Sequence, residues 1–317
     1  MHILILGAAG MLGRKLTAAI LGGALPHDGL TLADVVAPPL VPGARSLAVD
    51  LTDPDAPGVL LQDRPGLIFH LAAVVSGEAE ADRAKGYATN LDATRALFDA
   101  IAAIPDYCPR VVFASSLAVF GAPFPKVIPD DFHLTPRTSY GTQKAMAELL
   151  LSDYSRRGLL DGVALRLPTI CIRPGAPNRA ASGFYSSILR EPLNGLPATL
   201  PVRDSLRHWF ASPRAATGFF LRAATLDTSD LEASRALSMP GLSASVAEMI
   251  EALRRVAGQK AVDLITYAPD PVIQQIVEPW AEACEAARAR ALGFAAEQSF
   301  DDIIRVYLED DLPGGPL

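Results

Sequence analysis

Tyr140-Gly141-Thr142-Gln143-Lys144 sets a phenol and an amine four residues apart. On a helix that spacing brings both side chains onto one face, on neighbouring turns. A phenol with its ordinary pKa of ~10 is a poor base at neutral pH. An adjacent ammonium and an oxidised nicotinamide ring favour the phenolate, so the pair can take a proton from a secondary alcohol. Tyr-x-x-x-Lys is a common spacing, and surface packing accounts for most chance occurrences. Ser115-Ser116 gives it a context, because these residues end the apolar run RVVFASS (110–116) and so close a strand. In open α/β sheets ligands bind outside the carboxyl ends of the strands.

A second set of residues suits a dinucleotide. HILILG (2–7) runs into Gly7-Ala8-Ala9-Gly10-Met11-Leu12-Gly13, a glycine turn that opens an amphipathic stretch. Glycines let the backbone turn tightly and approach a pyrophosphate, whose charge then meets N–H groups at a helix N-terminus. Three glycines alone are weak evidence; a strand before them and a helix after them are what the mechanism requires. Asp34 closes the second apolar run, where a carboxylate accepts the ribose hydroxyls of NAD and repels the 2′-phosphate of NADP. A turn or capping aspartate is the competing reading. Asp50-Leu51 is placed to meet the adenine ring, and Leu71-Ala72-Ala73 offers small residues where backbone runs close to a ligand.

The elements that must carry these residues are legible as alternating patterns. Strands are expected at 2–7, 30–36, 45–50, 67–73, 110–116 and 163–170, several of them continuous apolar runs as in a parallel sheet covered on both faces. Helices are expected at 11–22, 79–104 and 140–157. The alternation predicts an α/β fold with a Rossmann-type doubly wound parallel sheet. Its strand ends would gather Gly7 to Gly13, Leu71 to Ala73 and Ser116 in one crevice. After residue 170 the pattern changes to a Gly/Pro-rich loop (173–183) and then to helices mixed with turns. This predicts an NAD-binding domain over 1–170 and, over 171–317, a smaller C-terminal substrate lobe from which some chain returns to the first domain.

Composition bounds the function. Half of the 317 residues are hydrophobic, enough for a large core, and the net charge of −7 argues against a broad nucleic-acid surface. Cys108, Cys171 and Cys284 are widely spaced, with no Cys-x-x-Cys pair, so neither a metal site nor a disulfide framework is expected. No stretch reaches membrane-spanning length and the apolar start lacks a basic leader, so the expectation is a cytoplasmic protein that binds no membrane.

Taken together, GAAGMLG, Asp34, Asp50-Leu51, LAA, SSLAVFG and YGTQK resemble the NAD-dependent epimerase/dehydratase family, the extended short-chain dehydrogenases, from residue 2 to about 310. The resemblance implies that Ser116 orients the substrate alcohol, Tyr140 is the acid/base and Lys144 grips the nicotinamide ribose. It also implies that Asn90 supports the active-site helix on the cofactor side and that Pro168 packs its backbone near the nicotinamide. Dehydratases of the family carry Thr-Asp-Glu where this chain has Ser116-Leu117-Ala118, so the acid and base for eliminating water are missing. The stretch RHWFASPR (207–214) keeps only the arginine of the epimerase pattern, which argues against a nucleotide sugar.

That stretch, together with LRLPTICIRPGAPNRAASGFYSSILREPL and SFDDIIRVYLEDDL, is similar instead to family members that oxidise a four-carbon sugar acid at C2 to a 2-oxo acid. A small carboxylate needs a cationic anchor, and arginine gives a bidentate match. Arg207 is the first candidate, followed by Arg179 and Arg173; a surface or structural ion pair is the alternative for each. Thr169 can add a hydroxyl contact, and His208 either assists or is a packed core residue. A nucleotide-sugar epimerase or reductase and a non-enzymatic NAD sensor remain as other readings. The helix at 140–157 carries apolar residues on more than one face, as a helix covered twice must, and family members dimerise there.

Overall fold

The computed structural model describes residues 1–175, 182–231 and 234–312. Its strands, numbered along the chain, begin with β1 (His2–Leu6), β2 (Gly29–Asp34), β3 (Arg45–Ala48), β4 (Leu67–His70), β5 (Arg110–Ser116) and β6 (Asp161–Leu167). They continue with β7 (Thr169–Ile170), β8 (Ala198–Leu200), β9 (Arg207–Ala211), β10 (Ala236–Ser238), β11 (Leu242–Ser245) and β12 (Ile265–Tyr267). The chain forms two compact units. The first comprises Met1–Val119, Leu134–Leu167 and Thr217–Met239; the second comprises Phe120–His133, Pro168–Ala216 and Pro240–Leu317.

In the first unit seven strands run in the order β10-β6-β5-β4-β1-β2-β3. Every neighbouring pair is parallel. Ile3 to Leu6 of β1 and Leu67 to Phe69 of β4 are wholly buried, because helices cover both faces of a doubly wound sheet. The strand order reverses at β1, whose neighbours are β2 and β4, and this is where such sheets bind ligands. Leu71, just after β4, donates its backbone N–H to Leu6 O at 2.9 Å, so the turns that follow β1 and β4 start side by side. The core under the sheet joins Leu4, Ile68, Phe98, Val111, Phe113 and Leu151.

Several expected elements are subdivided or shortened; the second strand ends at Asp34 rather than at residue 36 and the fourth at His70 rather than at residue 73. The strand read over 163–170 stops at Leu167, and Thr169–Ile170 pairs with β9 in a different sheet. Pro168 between them has no N–H to extend a ladder. The helix read over 79–104 is a series, Ser76–Ala81, Arg83–Tyr87, a π-helical turn Ala88–Asp92 and Ala93–Ala102. The third strand ends at Ala48 rather than at residue 50. The sequence located neither β10, which is only three residues long, nor the helix Pro213–Ala224; Thr217–Met239 is the expected chain that returns to the first unit, where β10 is the seventh strand.

The second unit holds a three-stranded sheet β11-β9-β7 and a two-stranded sheet β12-β8. The helices Gly183–Leu193, Val246–Ala257 and Phe300–Asp310 bury Tyr185, Leu189, Met249, Leu253, Ile303 and Ile304 in one core with Phe210. Val246, Met249 and Leu253 fall at helical spacing, so one face of the second helix is apolar. Ser245 and Glu248 close that helix's N-terminus in a reciprocal capping box. No helix among the described residues is long and apolar enough to cross a membrane.

Candidate active site

The glycine turn follows β1 directly. Gly7 takes φ +86°, and a Cβ at Gly13 would lie 2.3 Å from Gly7 O, so the turn closes only without side chains there. Met11–Leu21 then starts with Gly10 as its N-cap and no side chain capping it, which leaves its first N–H groups and dipole for a pyrophosphate. Met11 and Leu12 lie in its first turn. Asp34, the last residue of β2, accepts a hydrogen bond from Ala9 N at 3.0 Å through Oδ2. The carboxylate thus braces the glycine turn on the side where a ribose must lie, and the residues fit NAD. Asp50 is exposed and its Oδ1 accepts from Thr52 N and Thr52 Oγ1, which holds its carboxyl below the usual range. Leu51, Leu71, Ala72 and Ala73 are half-buried in the turns after β3 and β4.

Ser116 ends β5, and its Oγ accepts from Ala118 N at 3.2 Å at the start of a 3₁₀ turn, Leu117–Val119. The preceding Ser115 is buried and donates to Glu148 instead, so strand alternation turns only Ser116 toward a ligand. Tyr140 and Lys144 lie in the first turns of the helix Ser139–Arg156, capped by Thr138. Lys144 is 1 % exposed. Its Nζ donates to Ala114 O at 2.8 Å and stands 4.6 Å from the Phe113 ring centroid and 5.7 Å from that of Tyr140. Burial pulls its pKa down to about 7, against the attraction of Glu148 one turn further along. The arrangement sets an ammonium under a tyrosine ring, with a serine hydroxyl at the end of the adjoining strand.

Two positioning groups were not read from the sequence. Glu148 and Arg166 form a buried ion pair, with Nη2 to Oε2 at 2.8 Å and side chains 2 % and 8 % exposed. The signal was there: Glu148 stands four residues after Lys144 on the same helix face, and Arg166 interrupts an apolar strand. Gln143 is the other. Its Oε1 accepts from Asn90 Nδ2 at 2.7 Å, while Asn90 also exchanges two hydrogen bonds with the Val74 backbone. Asn90 was read as a cofactor-binding residue; its carboxamide is committed within the protein, and it sits in the π turn where an extra residue re-aims the helix. It acts as a clamp between the segment after β4 and the helix of Tyr140.

The substrate candidates lie in the second unit. Arg207 and His208 are successive residues of β9 and face opposite ways, so they cannot serve one ligand together. The Arg207 guanidinium pairs with Glu248 at 2.7 Å and donates to Ser243 O at 3.1 Å. That pairing joins β9 and β11 to the next helix, so an anion at Arg207 would have to compete with Glu248. His208 is buried, its Nδ1 2.7 Å from Ala281 O and its Nε2 2.7 Å from Thr169 Oγ1. Both ring nitrogens are thus engaged within the protein, as those of a packed core histidine would be. Thr169 is half-buried and Pro168 buried. Arg173 donates from Nε to Ile170 O at 3.2 Å and from its backbone to Ser186 Oγ at 3.0 Å. Arg179 lies outside the described residues. Among the described residues no group of three or more His, Cys, Asp or Glu side chains is gathered as for a metal ion.

Residues 3–228 match the NAD dependent epimerase/dehydratase family. The chain belongs to that family. NAD is accordingly its cofactor, and the Rossmann sheet with a smaller C-terminal lobe is the family's architecture. Among family members, a D-erythronate dehydrogenase of Cupriavidus necator is 48 % identical and aligns over 98 % of each chain. A D-erythronate dehydrogenase of Haemophilus influenzae is 41 % identical over 98 % of this chain and 100 % of its own length. A solved structure described as a nucleoside-diphosphate-sugar epimerase from Agrobacterium tumefaciens is 58 % identical, with a TM-score of 0.96 over 100 % of this chain and 95 % of the other.

Proposed function

We propose that this protein is an NAD-dependent dehydrogenase that oxidises D-erythronate, or a sugar acid very like it, at C2 to the 2-oxo acid. The observation that carries the reading is end-to-end similarity to two D-erythronate dehydrogenases, supported by Ser116 at the end of β5 and by Lys144 Nζ 5.7 Å from the Tyr140 ring centroid. Bound NAD supplies the hydride acceptor. Gly7, Gly10, Met11, Leu12 and Gly13 cradle its pyrophosphate, Asp34 its ribose, and Asp50 with Leu51 its adenine. Leu71 to Ala73 would line the nicotinamide half. Tyr140 as phenolate takes the proton of the C2 hydroxyl, and the C–H electron pair leaves C2 as hydride, which forms the carbonyl. Ser116 holds the same oxygen in line. Lys144, as the ammonium, keeps Tyr140 ionised and holds the nicotinamide ribose. Thr169, Arg173 and Arg179 are the second unit's candidates for contacts to a sugar acid.

A nucleotide-sugar epimerase is the second reading, favoured by the description of the Agrobacterium structure. The two separate by redox balance, since an epimerase returns the hydride and a dehydrogenase accumulates NADH. Purified protein mixed with NAD and D-erythronate should form NADH stoichiometrically with the 2-oxo acid, and Tyr140→Phe should abolish this while binding NAD as before. Interconversion of a nucleotide sugar without net NADH, and no turnover of any sugar acid, would overturn the proposal. We also propose that it acts in the cytoplasm. It works as a homodimer through the helix Ser139–Arg156, where Met146 and Leu149 are 41 % and 64 % exposed.

A further inference from the structure

Lys144 carries its charge where few oxygens answer it. Its ammonium has three hydrogens, and among the described residues one oxygen, Ala114 O at 2.8 Å, accepts from it. Both oxygens of Glu148, one turn along the same helix, are taken by Arg166 on β6 and Ser115 on β5. The other charged groups on the elements packed against this helix are engaged elsewhere or exposed. Glu80 accepts from Ser139 N, Asp99 accepts from Tyr154, Lys85 pairs with Glu78, and Arg83 lies over the Tyr87 ring. Asp161 is held by Arg110 and Arg235, Asp153 pairs with Arg156, and Asp92 and Arg95 are exposed. His70 on β4 is neutral. What does stand against the ammonium is aromatic. The ring centroid of Phe113 lies 4.6 Å from Nζ, nearer than that of Tyr140 at 5.7 Å. Phe113 is wholly buried, so no water competes for its face. His70, its register partner on the neighbouring strand, stands 5.3 Å away at 82°, with its own Nε2 3.1 Å from Thr94 Oγ1, and so fixes the ring's tilt.

We infer that Phe113 is a positioning residue for Lys144: the face of its ring stands in for a missing counter-ion and keeps the ammonium charged and seated beside Tyr140. The inference rests on the roles assigned above to Tyr140 and Lys144 and is independent of which alcohol is oxidised. The physics is the attraction of a cation to the negative face of an aromatic ring, which strengthens where water is excluded. Burial and the ring act on Lys144 in opposite directions. Burial favours the neutral amine and wins on balance, while the ring face favours the ammonium and keeps the titration from falling further. Weakening that face must therefore move the titration down. An aliphatic side chain at this position fills the space and supplies no such face.

Fluorine on a phenyl ring drains the negative face while changing its size little. The test places 4-fluoro-, 3,5-difluoro- and 3,4,5-trifluorophenylalanine at position 113 alone, with Phe113→Leu in parallel. The Lys144 titration is followed by ¹³Cε NMR of lysine-labelled protein, with and without NAD, its signal assigned by its absence from Lys144→Met. The midpoint should fall step by step with fluorination, by roughly one pH unit for the trifluoro ring and as far in Phe113→Leu. Melting temperatures of the fluorinated series should drop at about pH 6, where Lys144 is charged, and hardly move at about pH 9, where it is neutral. With D-erythronate at about pH 7, kcat should fall ~3–10-fold in the same order, as the charged fraction of Lys144 shrinks. A midpoint that ignores fluorination, or falls only in Phe113→Leu, would reduce Phe113 to a space-filling residue and overturn the inference, whether or not a sugar acid is oxidised. So would a kcat that stays constant while the midpoint falls. If the midpoint moves as expected and no sugar acid reduces NAD, the inference stands and the sugar-acid reading falls alone.

Discussion

At the scale of single residues, Lys144 and His70 are moved far from their ordinary chemistry. Both are buried, and burial brings His70 down to about 3, so it stays neutral beside Thr94. Lys144 is the one whose charge changes with pH in a useful range. The unfolded chain holds its proton up to the ordinary value of 10.5, whereas the folded chain releases it near 7. Between those limits the unfolded state binds more protons, so this residue makes stability rise with pH. Lys144→Met removes that contribution. Melting curves should show the variant more stable than wild type at pH 7, with the gap closing toward pH 10, and inactive throughout. A gap that widens with pH would mean that a bound partner, rather than burial, governs Lys144. The arginines are a second case at this scale. Arg207 is half-exposed in its pair with Glu248, and such pairs are worth ~0–1 kcal/mol. Arg207→Ala should therefore leave kcat/KM on the acid nearly unchanged. Arg173→Ala should lower it by ~2–5 kcal/mol in transition-state terms, the scale for removing a desolvated charge partner. The reverse order, by steady-state kinetics, would restore Arg207 as the anchor.

At the scale of elements, the helix Ser139–Arg156 is held to the sheet by charge as much as by apolar packing. Glu148 takes hydrogen bonds from Arg166 on β6 and Ser115 on β5, so one carboxylate ties the helix to two strands. Gly141 adds a steric condition, since a Cβ there would lie 2.1 Å from Ala118 O in the turn after Ser116. Breaking a buried pair by removing one partner costs ~3–5 kcal/mol, because the other charge is left uncompensated. Glu148→Gln should lose stability on that scale in denaturant unfolding, and its kcat should fall. The double variant Glu148→Leu/Arg166→Met carries no stranded charge and should recover most of the stability. If it recovers activity as well, the pair is only a fastener; if activity stays low, the pair positions Tyr140, Lys144 and Ser116.

At the scale of the whole molecule, the same helix has a second face. Gly141, Lys144, Glu148, Leu151 and Ser155 are buried at helical spacing, while Met146 and Leu149 point outward. This apolar pair, at i and i+3, is the seam for a second copy in the dimer proposed above. Substituting both with lysine should shift the protein to monomer in light scattering, with Tyr140 chemistry intact. A mass that does not change would place the dimer contact elsewhere or show the wild type to be monomeric.

The glycine turn, Asp34, the serine at the strand end and the Tyr-x-x-x-Lys helix were legible in the sequence because each depends on local spacing. A period of two or of 3.6 fixes which side chains share a face, and a glycine between strand and helix fixes a turn. Parallel order, family and cofactor follow from their conjunction. What the sequence could not decide was where a long charged side chain spends its charge. Arg207, His208 and Asn90 are plausible ligands by type, yet Glu248, Ala281 and Val74 with Gln143 claim them across 41, 73, 16 and 53 residues of chain. Glu148 and Arg166 stood in plain view as a helix residue and an odd strand residue, and only pairing β5 with β6 under the helix brought them together. The extended strand at 163–170 was cut at Pro168 because β9 competes for Thr169 and Ile170. Short-range periodicity is a property of the chain; the partner of a buried polar group is chosen by whatever the fold brings within 3 Å or so, because leaving it unpaired costs more than any local preference.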